Sequence, residues 1–250
     1  MIDRVGTRAD LRDPATLLDA WEAAAGAPGH RRGPALLAAI GEATPGESLD
    51  VPLDELAEAL TRHHVTAFGS PAAGLITCPA CTEILEVDAD LAALFPPRRT
   101  GGSAGTGTQA DRAAGPGHLV VRTPTARDLI AAAAAADPAA EVVRRCVWSA
   151  DGTPCQLADL GPEDLAAVDE ELERRAGPGL PVLSTACPGC GEQVIALVDP
   201  ATLLWAEVRS SATVLIQDVA DLAAAFGWRE DDVLALPGWR RAAYLELARR

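Results

Sequence analysis

The chain has 250 residues and a net charge of −15, with 36 Asp and Glu against 21 basic residues, every one of them arginine. The absence of lysine excludes a Walker phosphate loop and a Schiff-base enzyme, and the acidic balance argues against general binding to nucleic acid or to an anionic membrane. The hydrophobic fraction is 48%, but about a fifth of the chain is alanine, which buries little area, so the core is expected to be modest.

Residues 11–27 read as a helix capped by Asp13, with Pro14 in its first turn and Leu17, Leu18 and Trp21 on one face. A loop with Pro28, Gly29, Gly33 and Pro34 is expected next, then a short helix over 36–40. Leu53, Leu56, Ala57, Leu60 and His64 recur at helical spacing and predict a helix over 52–68. Two short strands, 75–77 and 83–87, flank Cys78-Pro-Ala-Cys81, and Asp88 or Asp90 caps a short helix ending at Phe95. Residues 96–118 are rich in Gly, Pro, Ser, Thr and Arg and read as a flexible excursion.

A strand over 119–122 follows. Thr123-Pro124 is expected to open a helix through Ala136, and Asp137-Pro138 another through Trp148. Asp151-Gly152 is a turn, and 162–176 is a helix with an acidic first turn. Strands over 183–185 and 193–198 then flank Cys187-Pro-Gly-Cys190, and Asp199-Pro200 starts a long helix ended by Gly227. Leu204, Val208, Leu215, Val219, Leu222 and Phe226 mark its apolar stripe. Short helices over 231–236 and from Pro237 close the chain. The longest apolar run, 129–136, is mostly alanine and too short to span a bilayer, and residues 1–13 lack a signal-peptide core, so a soluble cytoplasmic protein is expected.

The two cysteine segments look like one unit used twice. Leu75-Ile-Thr-Cys-Pro-Ala-Cys-Thr-Glu matches Leu183-Ser-Thr-Ala-Cys-Pro-Gly-Cys-Gly-Glu, and Cys187 follows Cys78 by the same 109 residues as Cys190 follows Cys81. A cysteine pair two residues apart spans one edge of a tetrahedron, and the amides of the tight turn can donate to the sulfurs. Gly191, after the second cysteine, permits the positive φ such a turn needs. Two pairs brought together make a closed tetrathiolate zinc site of Cys78, Cys81, Cys187 and Cys190. Redox dithiols and unmetallated cysteines are the alternatives, although neither pair opens a helix as a redox pair does. Cys146 and Cys155 fall outside the pattern and read as packing thiols.

The implied fold class is mostly α with a small β zinc ribbon, an α+β arrangement of two related helix–hairpin–helix halves sharing one metal site. Its regions are an N-terminal helical region (1–70), the first knuckle hairpin and short helix (71–95), the excursion (96–118), a strand plus helices (119–180), the second knuckle hairpin (181–200) and a C-terminal helical region (201–250). No nucleophile–base arrangement can be read. His64 continues an apolar stripe and His63 is expected at the surface, while His30 and His118 carry no pattern. Asp169, Glu170, Glu171 and Glu173 read as a solvated helix face. Aromatics are scarce overall yet gather at the end of the chain. Trp228, Trp239, Arg240, Arg241 and Tyr244 there are candidates either for a satellite core or for a partner-binding surface.

Several of these segments together resemble the baseplate hub assembly chaperone family of contractile phage tails and phage-like contractile injection systems. They are Leu17-Leu-Asp-Ala-Trp-Glu22, the two Cys-Pro-x-Cys knuckles, Val121-Arg-Thr-Pro-Thr-Ala-Arg-Asp-Leu129 and Arg144-Arg-Cys146. The ending adds Gly-Trp-x-Glu-x-x-Val-Leu-x-Leu-Pro from Gly227, then Arg240-Arg241 and Tyr244-Leu-Glu-Leu247. The likeness covers nearly the whole chain; the excursion and the alanine-heavy first half depart from it. It implies a non-enzymatic assembly chaperone or accessory protein, cytoplasmic and associated with an assembling phage-like particle. The partners it implies are baseplate hub or spike proteins, with no nucleic acid, membrane or small-molecule substrate. No catalytic residue carries over. The alternative is a zinc-ribbon nucleic-acid-binding or transcription-associated protein. An enzyme, thiol-redox or hydrolytic, would need an open position that a closed tetrathiolate site lacks.

Overall fold

The computed structural model describes residues 10–95, 113–114, 119–176 and 180–249. Helices dominate, accompanied by three small antiparallel sheets. The main core is built by α1 (Pro14–Ala25), α2 (Gly29–Ala39), α3 (Leu53–Phe68) and the first half of α8 (Pro200–Phe226). α1 starts as its sequence dictates: Asp13 accepts from the Thr16 amide, and Pro14 occupies the first turn, where no intrahelical donor is needed. Leu17, Leu36, Ile40, Leu60, Leu204 and Val208 form the centre of this core.

α2 overturns the expected loop at 28–34. It begins directly after Pro28 and carries Pro34 inside it. Proline forgoes one backbone bond in the middle of the helix, and packing outweighs that loss. A Cβ on Gly33 would lie 3.3 Å from both Ala201 Cβ and Leu60 Cδ1, so glycine lets α2 press against α3 and α8. These loop-forming residue types are therefore used for close helix crossing.

α8 has 27 residues and is about 40 Å long at the usual helical rise. Asp199 caps its start by accepting from the Ala201 amide, and Gly227 ends it at φ +69°. Its second half leaves the main core and carries α9 (Glu230–Leu234) and α10 (Gly238–Ala248) around a small cluster of Leu222, Val233 and Leu245.

Two hairpins pack near the start of α8. The first is β1 (Pro71–Thr77) with β2 (Ile84–Asp90), followed by the one-turn helix α4 (Leu91–Leu94) capped by Asp90. The strands are longer than the sequence suggested. Their bases meet the second hairpin through Ala72, Ala89, Leu91 and Val198, and their tips through Cys78, Leu85, Cys187 and Val194.

A satellite unit joins β3 (Ala113–Ala114), β4 (Leu119–Val121), α5 (Ala126–Ala134), α6 (Pro138–Cys146), β5 (Val147–Ser149) and α7 (Pro162–Ala176) around Leu119, Val121, Val143, Val147 and Val168. Apart from β3, the excursion expected at 96–118 lies outside the described residues. Two expected boundaries are corrected. The helix expected to run from 123 starts after Thr125, because Thr125 and Asp128 form a capping box and the Pro124 carbonyl accepts from the Leu53 amide. The helix expected to reach Trp148 stops at Cys146, because Val147 and Trp148 pair with Val121 and Val120 across the sheet. No described helix is long and apolar enough to cross a membrane.

Candidate metal centre

The second hairpin is β6 (Val182–Ala186) with β7 (Gln193–Leu197). Both hairpins are closed by turns of equal length, 78–83 and 187–192, with the same backbone bonding. The Cys78 amide donates to the Glu83 carbonyl at 2.8 Å, and the Cys187 amide to the Glu192 carbonyl at 2.8 Å. The Thr82 and Gly191 amides return to the Cys78 and Cys187 carbonyls at 2.9 and 2.8 Å. Each turn needs one residue at positive φ just after its second cysteine. Gly191 meets this at φ +76°, and Thr82, a β-branched residue, is held in the same region at φ +63°.

These turns bring the four predicted ligands together. The sulfurs of Cys78, Cys81, Cys187 and Cys190 all lie within 4.8 Å of one another. Cys78 Sγ is 3.7 Å from Cys190 Sγ, and Cys81 Sγ is 3.5 Å from Cys187 Sγ, so the close approaches run between hairpins. A disulfide needs about 2.05 Å, and all four cysteines are free. A tetrahedron of thiolates at roughly 2.3 Å from a cation has edges of roughly 3.8 Å, which these separations match. Cys78 and Cys187 are buried while Cys81 and Cys190 face solvent. Among the described residues this is the one cluster of three or more Cys, His, Asp or Glu side chains gathered closely enough to hold a metal.

The turn amides tune the sulfurs. The Cys81 amide, then that of Ala80, lowers the Cys78 thiol to about 7. The Glu83 amide also favours the Cys81 thiolate, but the neighbouring Cys190 and Cys187 sulfurs draw on its proton and raise it to about 12. A thiophilic cation would displace these protons and satisfy all four sulfurs at once.

No family model, curated protein or solved structure matches the chain.

The other candidates fall elsewhere. His64 is buried on α3 as expected; burial lowers its pKa, and its Nδ1–H donates to the Gly69 carbonyl at 3.1 Å. His63 departs from the surface reading: its Nε2 lies 2.9 Å from Glu42, which also binds Arg62, and only 11% of its side chain is exposed. Glu171 departs from the solvated-face reading, because it is buried and takes a bidentate bond from Arg174 at 2.5 and 2.8 Å. Cys146 is buried with its thiol pushed up to about 12 by burial, a packing role, and Cys155 packs against the satellite core. At the chain end, Trp228 and Tyr244 stack edge-to-face at 4.7 Å beside Phe226. Arg241 binds Asp218 on α8 at 3.1 Å. Trp239 is 72% exposed, with Arg240 resting on its ring.

The residue the sequence did not single out is Asp128. It is 1% exposed, yet Arg122 binds it bidentately at 2.6 and 2.9 Å and Arg145 adds a bond at 2.7 Å. The Thr125 amide and hydroxyl at 2.9 and 3.0 Å and the Cys146 thiol at 3.7 Å add further donors. Burial opposes the charged form, but these donors hold the carboxyl well below its ordinary range. The Thr-x-x-Asp spacing was a legible capping signal; the return of Arg145 from α6 was not.

Proposed function

We propose that this protein is a non-enzymatic assembly chaperone or accessory protein for the hub or spike of a contractile tail or injection system, held together by one structural zinc ion. Zinc is the cation favoured by four thiolates at tetrahedral spacing, and a site with four protein ligands leaves no position for substrate water. In this reading the hairpins are a duplicated zinc-ribbon unit whose likeness spans the turns, the strands and the Asp-capped helix start after each, but not the helices before them. α3, before the first hairpin, packs in the main core, whereas α7, before the second, packs on β4.

The observation that carries the partner-binding reading is the outer face of α10. Trp239, Ala243 and Leu247 are spaced four apart on it, and all are exposed. Behind them Arg241 and Tyr244 anchor the helix to α8 and to Trp228. An exposed tryptophan with an adjacent arginine on a rigid helix is the residue set of an interaction hot spot.

Co-expression with the hub and spike proteins of a contractile tail tests this reading. A stable complex is expected, and W239A together with R240A should weaken it at least about tenfold without altering zinc content. Normal particle assembly in the absence of this protein would contradict the proposal.

A further inference from the structure

Beside the hairpins lies a cleft of about 550 Å³, and the way strands line it is informative. Residues 72–76 of β1 contribute consecutively, as do Ala196 and Leu197 of β7 with Val198 and Asp199 just beyond it. Successive strand residues point to opposite faces, so an unbroken run along a cleft means that the strand presents its edge. β1 pairs only with β2, and β7 only with β6, among the described residues. Two strand edges with unused backbone donors and acceptors therefore border one cleft. The hairpin bases pack together and the tips pack together, so β1 running towards its tip and β7 running away from its own are antiparallel across it.

Edges of this kind are usually guarded by charges, prolines or bulges. Residues 72–76 and 196–198 carry none of these guards. Small residues, Gly74, Ala89 and Ala196 among them, alternate on the lining with larger aliphatic ones such as Val87, Leu183 and Leu203, an apolar surface that incoming apolar side chains can meet. The ionisable residues on the lining are Glu86 and Asp199; no basic side chain lines the cleft among the described residues.

The geometry points to a docking site for an extended, basic segment of a partner protein, which adds as a strand between β1 and β7. Backbone bonding to the two edges supplies affinity that depends little on sequence. Alternate apolar side chains fill the cleft, and the cations between them meet Glu86 and the acidic body. This inference does not depend on which process the protein serves.

The test uses the full zinc-loaded chain and a peptide of about eight residues alternating valine and arginine. Controls are the same pattern with glutamate in place of arginine, and an equally charged peptide with proline in place of valine. The valine–arginine peptide should bind saturably and slow amide exchange along 72–76 and 194–198, while both controls bind at least about tenfold more weakly. E86R should weaken binding about tenfold, whereas D169R, an equal charge change on the exposed face of α7, should leave it within about twofold. Equal losses in the two variants, equal binding of the proline peptide, or no binding would overturn the proposal. Protection of β1 and β7 that grows with protein concentration without peptide would also overturn it, since a second copy of the chain would then fill the cleft.

Discussion

The main helical core and the paired hairpins solve the same problem with different means. The core draws on fifteen buried apolar residues from α1, α2, α3 and α8 and the segments beside them, several of them fully excluded from water. The hairpin tips have four buried residues, Cys78, Leu85, Cys187 and Val194, and two of these are cysteines of the cluster. A two-stranded hairpin is marginal in water, and even with the second small cluster of Ala72, Ala89, Leu91 and Val198 at their bases the two share little apolar core. On the proposed structural-metal reading, the difference makes metal dispensable to the first region and decisive for the second. It also accounts for the place of the cysteines at the turns: there one ion would fix both turns and tie segments more than a hundred residues apart.

Breaking the cluster should have the largest effect. C78S is expected to lower metal affinity by two or more orders of magnitude and to unfold the hairpins, since metal binding and local folding are one equilibrium. Far-UV circular dichroism should show most of the helical signal retained while bound zinc falls from one ion per chain towards none. A cooperative loss of all helix would merge the two regions and remove the contrast.

The satellite unit is a third case, in which a buried ion pair supplements a small apolar core. D128N leaves Arg122 and Arg145 without their carboxylate, and a loss of about 3–5 kcal/mol in that unit is expected. The pH dependence has a definite sign. The folded-state pKa of Asp128 is depressed, so its contribution is fully present above the unfolded value of about 3.9 and is lost as pH falls below it. Denaturant unfolding between about pH 5 and pH 2.5 should therefore show a steep acid loss in the native protein that D128N lacks. Parallel curves would assign the acid sensitivity to other carboxylates.

The smallest effect sharpens the comparison between the two turns. Thr82 occupies the left-handed position that Gly191 fills in the other hairpin. T82G is expected to stabilise the zinc-loaded hairpins by about 1 kcal/mol through relief of that strain, less what is lost with the hydroxyl bond to the Cys81 carbonyl at 2.6 Å. Metal affinity measured by competition with a chelator would report it, and an unchanged or lower affinity would show that the hydroxyl bond outweighs the strain.

Sequence reading was most successful where the signal is local and repeated. The cysteine spacing, the caps at Asp13, Asp90 and Asp199 and the stop at Gly227 all depend on residues within one turn of one another. It failed where tertiary contacts override local preference. Gly33 and Pro34 look like a loop until α3 and α8 are placed against them, and Val147-Trp148 continue a helical run until β4 supplies a strand partner. Glu171 and His63 look solvent-facing because what buries them is distant or partnered. The buried Asp128 shell had the same difficulty, since its donors come from the residue after β4, from α6 and from the cap of α5.

Hydrogen exchange of the full chain before and after removal of metal by a strong chelator tests the central claim most directly. Amides of β1, β2, β6 and β7 should lose protection by several orders of magnitude, while those of α1, α3 and the first half of α8 keep theirs, with metal restoring the hairpins on return. Uniform loss across the helices, or hairpins that stay protected without metal, would contradict it.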